Sequence, residues 1–197
     1  EFEPFTETVV EKYEGYWGGE PKLDGARLIT ISDAESLSMA LQNGEIDLAV
    51  SMPTSSVSLF EDSDEFVVDA VTTSRGNRMY YNLDRPAMKD EAVRKAIAMC
   101  IDRDGVAAAI YNGMAEPSWG IYPDFLSYGG TEGLTLSVDR YDPQGAAKLL
   151  AGAGWSDTDG DGILDKDGVS LSLRAVTFAS RVEMGQFLEL LQAELSG

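Results

Sequence analysis

Residues 8–16 alternate loosely between apolar and polar side chains and predict a strand that closes at Trp17-Gly18-Gly19. After a turn at Glu20-Pro21-Lys22, the β-branched run 26–31 predicts a second strand. Ser32 or Asp33 then caps a helix with Leu37, Ala40 and Leu41 on one face. That helix ends at Asn43-Gly44, where glycine adopts a left-handed conformation without a Cβ penalty. Residues 46–50 read as the next strand, which makes 26–50 a strand–helix–strand unit with a right-handed crossover.

A loop rich in serine, proline and acids follows over 51–65, then a strand over 66–73. Arg75-Gly76-Asn77 breaks the pattern, and 78–83 begins another strand. A helix from Asp90 to about Ile101 turns Val93, Ile97 and Cys100 or Ile101 inward. Asp102 caps a second helix that ends at Asn112-Gly113. Residues 114–138 form a long loop with Trp119, Tyr122, Phe125 and Tyr128, and a loop so long and aromatic is packed or functional. Asp142-Pro143 starts a third helix, with proline at its first position, and Gly152 or Gly154 stops it. Residues 169–178 alternate as a strand, and 181–195 form an amphipathic helix with Met184, Phe187, Leu188, Leu191 and Leu195 on one side. The fold class is α/β, with mixed sheets flanked by helices.

Charge removes several function classes. The 197 residues hold 34 acidic and 15 basic side chains, no histidine and one cysteine, for a net charge of −19. The acid excess runs through both halves, 19 acids to 9 bases before residue 99 and 15 to 6 after it. Such a surface repels phosphate backbones and anionic membranes, so neither nucleic acid nor a lipid surface is an expected partner. Without histidine the chain builds no Ser-His-Asp triad and no histidine-ligated metal site, and Cys100 alone makes no intrachain disulfide. No apolar run approaches the ~20 residues that span a bilayer. Glu1-Phe2-Glu3-Pro4-Phe5 has no secretion-signal pattern, which leaves a cytosolic protein or a trimmed piece of an exported one. No nucleophile–base constellation is present, so an enzyme is not expected.

One segment has chemistry of its own. In 157–168, Asp157, Asp159 and Asp161 alternate, Gly162 follows, and Asp165 comes later, as in the first half of an EF-hand loop. Alternation turns oxygens inward around a hard cation, to which Ile163 adds its backbone carbonyl. Asp157, Asp159, Asp161, Ile163 and Asp165 are therefore the candidate calcium ligands. The twelfth position is Gly168 rather than a bidentate glutamate, and strand residues replace the second helix. The competing reading is an acidic turn held by Asx bonding from Asp157 and Asp159.

Taken together, several segments resemble one family. Tyr16-Trp17-Gly18-Gly19-x-Pro21-Lys22-Leu23-Asp24, Ser36-x-x-x-Ala40-Leu41 with Gly44-Glu45-Ile46-Asp47-Leu48-Ala49, and Asp90 with Val93-Arg94-Lys95-Ala96-Ile97 come in order. Ile101-Asp102-Arg103, Tyr141-Asp142-Pro143 through Ala153-Gly154-Trp155, and the acidic 157–168 segment complete the set. This series resembles extracellular solute-binding proteins of the peptide/nickel type, the receptor components of ABC importers. Two details depart from the family pattern: Tyr13-Glu14 replaces an asparagine-proline pair, and Pro86-Ala87-Met88 replaces a Pro-Pro-Phe.

The resemblance implies a two-lobed periplasmic-binding-protein-like fold of which 1–197 is a central piece. Residues 1–74 fall to lobe I, 75–83 to a crossing strand at the hinge, and 84–197 to the first half of lobe II. It implies capture of an oligopeptide, nickel or a nickel chelate outside the membrane, and delivery to the transmembrane permease subunits. The alternative is a calcium-stabilised cell-surface module with no transport role. An extracytoplasmic location follows, in the periplasm or as a surface lipoprotein. The hinge strand borders the family's cleft, so Arg78 is placed to pair a carboxylate and either Tyr80 or Tyr81 to stack on ligand. Trp119 and Tyr122 are further ligand candidates. Trp17 is expected in a core and Cys100 as an inert buried thiol. No cofactor is required, and calcium is the one candidate.

Overall fold

The computed structural model describes residues 2–3, 6–120, 140–178 and 181–196. The chain divides into two compact units, Glu1–Ser56 and Val57–Gly197.

In the first unit, β1 (Phe2–Glu3), β2 (Glu7–Glu11) and β3 (Gly25–Ile29) form an antiparallel sheet in that order. Thr8 pairs with Leu28 and Val9 with Arg27, and the bidentate Arg27–Glu7 ion pair crosses the same two strands. Helix α1 (Ala34–Gln42) starts where Asp33 Oδ1 accepts from the Ser36 amide at 2.8 Å. It ends in a Schellman arrangement: Gly44, at φ +70°, donates to Leu41 and Glu45 donates to Ala40. Helix α2 (Thr54–Glu61) follows, its first turn closing this unit and the rest, from Val57, belonging to the second.

The strand expected over 46–50 is not formed. The sheet is wholly antiparallel, so the strand–helix–strand crossover expected over 26–50 is absent. Leu48 and Val50 are exposed, since an apolar run becomes a strand only when a neighbour takes its main-chain hydrogen bonds. Trp17, expected in a core, is exposed and contacts the ring of Tyr16 at 5.3 Å.

The second unit is built on helices. Asp90 separates the short α3 (Pro86–Lys89) from α4 (Glu91–Met99) and caps the latter. Asp102 caps α5 (Arg103–Ala109), and Asp142 caps α6 (Pro143–Gly152), which carries the expected proline at its first position. Helix α4 buries Val93, Ala96 and Ile97, with Cys100 one turn on, and packs on α6. Small residues at the contact, Ala96 and Ala146, let the two axes approach closely, with Cys100 beside them. The main core joins Ala87, Met88, Val93, Ile97 and Trp155, with Leu150 and Leu164 packed against it.

Past α6, Gly154 at φ +91° turns the chain and Trp155 donates its amide to Leu150. Gly154, rather than Gly152, is the residue that ends the helix. Strands β4 (Asp165–Lys166) and β5 (Val169–Ser170) form a two-residue hairpin, and α7 (Val182–Leu195) follows. Of the strand expected over 169–178, only 169–170 is paired, and 66–73 and 78–83 carry no ladder.

Candidate functional site

Residues 77–82 run beside the main core of the second unit, and that core assigns their faces. Met79 and Tyr81 pack against the core cluster, while Arg78 and Tyr80 point outward. Tyr81 is half-buried and donates its hydroxyl to the Arg94 carbonyl at 3.4 Å, and burial raises its pKa. Tyr80 is 86% exposed. Of the two tyrosines weighed for ligand contact, Tyr80 is the one whose ring is open to solvent. Arg78 donates from Nη1 to the Gly76 carbonyl at 3.1 Å and shares the outward face. Asn77 anchors the segment through its amide to the Tyr111 hydroxyl, 2.5 Å away. Asn82 accepts the Asp84 amide at 3.0 Å and so fastens backbone.

Trp119 stands apart from this segment in its partners. The Arg140 guanidinium lies 3.7 Å from its ring centroid and Arg103 lies 5.2 Å away, so cations flank the indole. Tyr122 lies outside the described residues.

Asp90 is the joint of the unit, whereas the sequence pattern marked it only as the start of a helix running to about Ile101. Its Oδ1 accepts from the Ala92 amide at 2.9 Å, and its Oδ2 accepts from Trp155 Nε1 at 3.0 Å and Lys166 Nζ at 2.7 Å. The Lys166 bond, then the Trp155 bond and the Ala92 amide, lower its pKa from 3.8 to about 2. One carboxylate thus ties the start of α4 to the turn after α6 and to the β4–β5 hairpin. The signal available was a capping aspartate together with a Trp that must satisfy its indole N–H when buried.

The acidic segment is closed at its base by Ser156 and Asp165, which exchange both main-chain hydrogen bonds. Inside, Asp157 accepts from the Gly160 and Gly162 amides at 2.7 and 3.0 Å, and these bonds lower its pKa. Gly160 and Gly162 stand at φ +80° and +87°, which a side chain resists. Asp159 accepts from the Asp161 amide, and Asp161 from the Ile163 amide. Carboxylate oxygens of Asp157, Asp159 and Asp165 lie within 4.8 Å of one another, and Asp161 is not in that group. A groove of about 320 Å³ runs alongside, lined in part by Ser156, Thr158, Asp159, Asp165 and Lys166.

The departure at the twelfth position has a structural cause. Asp167 and Gly168, at φ +51° and +76°, form the turn between Lys166 and Val169. That is the Asp-Gly signature of a two-residue hairpin, where a glutamate ligand has no place. Three clustered carboxylates are a partial donor set for calcium, which takes six to eight oxygens.

Comparison with known proteins matches residues 1–196 to "Bacterial extracellular solute-binding proteins, family 5 Middle". The oligopeptide-binding protein AppA of Bacillus subtilis is 30% identical over 170 residues, covering 85% of this chain and 31% of AppA. The nickel-binding protein NikA of Staphylococcus aureus is 26% identical over 189 residues, covering 94% of this chain and 35% of its own. The solved structure of AppA with a nonapeptide superposes with a TM-score of 0.74 at 25% identity, covering all of this chain and 38% of that one. The structure of NikA from Brucella suis with Fe(III)-EDTA superposes with a TM-score of 0.80 at 24% identity, over all of this chain and 40% of that one. The chain thus spans about a third of the length of the curated relatives it matches.

Proposed function

The chain belongs to the bacterial extracellular solute-binding proteins of family 5, and from that premise we propose that it captures a peptide or a nickel chelate for an ABC importer. The observation that carries the reading is the match over residues 1–196, together with relatives named for oligopeptide and nickel binding. Its partners are the permease subunits and the captured ligand. The family is one of transport receptors rather than enzymes, and its extracellular description implies an extracytoplasmic location. Among the described residues no helix is long and apolar enough to cross a membrane. Membership favours this reading over a structural module with no transport role.

On the ligand side, the outward face of 77–82 supports Arg78 and Tyr80 as contacts, with Tyr81 behind them as packing. Trp119 and Tyr122 belong to the same proposal, as does the division into lobe I (1–74), crossing strand (75–83) and lobe II (84–197). Calcium at the acidic loop is a second, separate reading, favoured by the convergence of Asp157, Asp159 and Asp165. The function is tested by calorimetry of the complete gene product against short peptides and against nickel with free histidine. Heat with peptides alone assigns peptide transport, and heat only with nickel and histidine together assigns the chelate. No heat with either refutes the proposal.

A further inference from the structure

Residues 77–81 join no ladder among the described residues, so side chains rather than main-chain bonds hold them in place. Their directions alternate: Asn77, Met79 and Tyr81 turn toward the second unit, while Arg78 and Tyr80 turn away from it. Each inward side chain has its own partner. Met79 and Tyr81 pack on the cluster of Ala87, Met88, Val93, Ile97 and Trp155, and the Tyr81 hydroxyl reaches the Arg94 carbonyl. Asn77 is exposed, and its hold is the hydrogen bond from Nδ2 to the Tyr111 hydroxyl, 2.5 Å long and spanning 34 residues of sequence. Apolar packing thus secures the far end of the segment, and one polar bond secures its start, next to Arg78.

Tyr111 is a firm anchor because its own backbone is held from both sides. It follows α5, whose Ala107 and then Ile110 are buried. Asn112 and Gly113 take left-handed φ values of +48° and +75°. The Gly113 amide there donates to the Ala107 carbonyl, and the Met114 amide donates to the carbonyl of Tyr111. Desolvation, then the charge of Glu183 in α7, raises the pKa of the Tyr111 hydroxyl and keeps it a neutral phenol that accepts from Asn77. On the other side of Asn77, the Arg78 guanidinium folds over Gly76, where a Cβ would stand 3.3 Å from it, and donates to the Gly76 carbonyl. Gly76, Asn77 and Arg78 therefore move together, and a shift of Asn77 carries the guanidinium with it. We propose that Tyr111 is a positioning residue for ligand capture: by holding Asn77 it sets where Arg78 and Tyr80 stand toward the solute. The inference rests on the reading of Arg78 and Tyr80 as ligand contacts.

A double-mutant cycle on affinity in the complete gene product tests it, by calorimetry with whichever probe gives heat, a short peptide or nickel with free histidine. Tyr111→Phe and Asn77→Ala are each expected to weaken binding ~3–10-fold, the range set by one lost hydrogen bond. Both remove the same bond, so the double variant is expected to bind no more weakly than the weaker single one. A tyrosine that only packs changes Tm and leaves affinity alone. Without ligand, amides of 77–81 are expected to exchange ~3–10-fold faster in Tyr111→Phe than in the unmodified protein. Unchanged affinity in Tyr111→Phe overturns the proposal, as do losses that multiply in the double variant or unchanged exchange over 77–81. Where Tyr111→Phe fails to fold, Asn77→Ala at its exposed position carries the affinity measurement, and unchanged binding there overturns the proposal. Heat from neither probe refutes the proposed function and the role of Tyr111 with it, whereas heat with full affinity in Tyr111→Phe overturns this inference alone.

Discussion

Replacing Asp90 with asparagine removes a charge while keeping a good capping side chain, because Asn and Asp cap helices almost equally well. The loss therefore reports the Lys166 and Trp155 bonds rather than the start of α4. Asp90 falls from 3.8 to about 2 in the folded chain. At 1.36 kcal/mol per unit, that shift corresponds to about 2.4 kcal/mol of stability at neutral pH. The side chains of Asp90 and Lys166 are 22% and 31% exposed, so solvent screening reduces the expected figure to about 1.5–2 kcal/mol. The folded-state value lies below the unfolded one, so the contribution is complete above pH ~4 and is lost as pH falls toward about 2. By pH 3 about half of it is gone. Urea unfolding of the unmodified and Asp90→Asn proteins at pH 7 and pH 3 reads this directly. A double-mutant cycle with Lys166→Met isolates the ion pair from the indole bond. A cost below about 0.5 kcal/mol at pH 7, or one that does not shrink at pH 3, refutes the assignment of Asp90 as the joint of the unit.

Three further outcomes are expected. Tyr81→Phe removes the hydroxyl that reaches the Arg94 carbonyl and costs about 0.5–1 kcal/mol in unfolding, whereas Tyr80→Ala stays within about 0.5 kcal/mol and acts on ligand affinity instead. The reverse pattern inverts the assignment of faces. Cys100 is buried, and desolvation followed by the Glu194 charge raises its pKa, so a thiol reagent at pH 8 reacts with it only on unfolding. Labelling of the native protein at the rate of a free thiol contradicts that burial. Millimolar calcium raises Tm if the three clustered carboxylates hold the ion, and Asp157→Asn with Asp159→Asn abolishes the rise. No shift in the unmodified protein removes calcium and leaves a turn held by its own amides.

Helices were legible because their signals are local. Asp33, Asp90, Asp102 and Asp142 each stand one residue before a helix and accept an amide two or three residues on. Gly44 and Gly154 end helices by a left-handed φ that few other residues accept. Strands were less legible for the opposite reason. The alternation expected over 8–16 became a strand only as far as Glu11, and the run at 26–31 only as far as Ile29, where the two pair with each other as β2 and β3. The runs at 46–50 and 66–73, and all of the expected strand 169–178 beyond Ser170, formed no ladder among the described residues. Hydrophobic pattern states which face a strand would bury, while only another segment supplies the hydrogen bonds that make it one.

The candidate site shows the same division. Alternation established that Tyr80 and Tyr81 face opposite ways, yet it carried no sign, and the packing of Met79 and Tyr81 against Ala87, Met88, Val93 and Trp155 supplied it. In the acidic segment both expected features are present, and they compete for the same atoms. Asp157 spends both oxygens on the Gly160 and Gly162 amides, and Asp159 spends one on the Asp161 amide, as the Asx reading requires. The same bonds bend the chain so that Asp157, Asp159 and Asp165 converge, as the calcium reading requires. An amide bond leaves a carboxylate oxygen a second lone pair, so turn formation and ion binding are sequential demands on one geometry. What separates this loop from a complete EF-hand is Asp167-Gly168. Their φ values of +51° and +76° commit the chain to a hairpin where the last bidentate ligand belongs. An ion held here would need oxygens beyond the three clustered carboxylates, and affinity falls with each missing protein ligand.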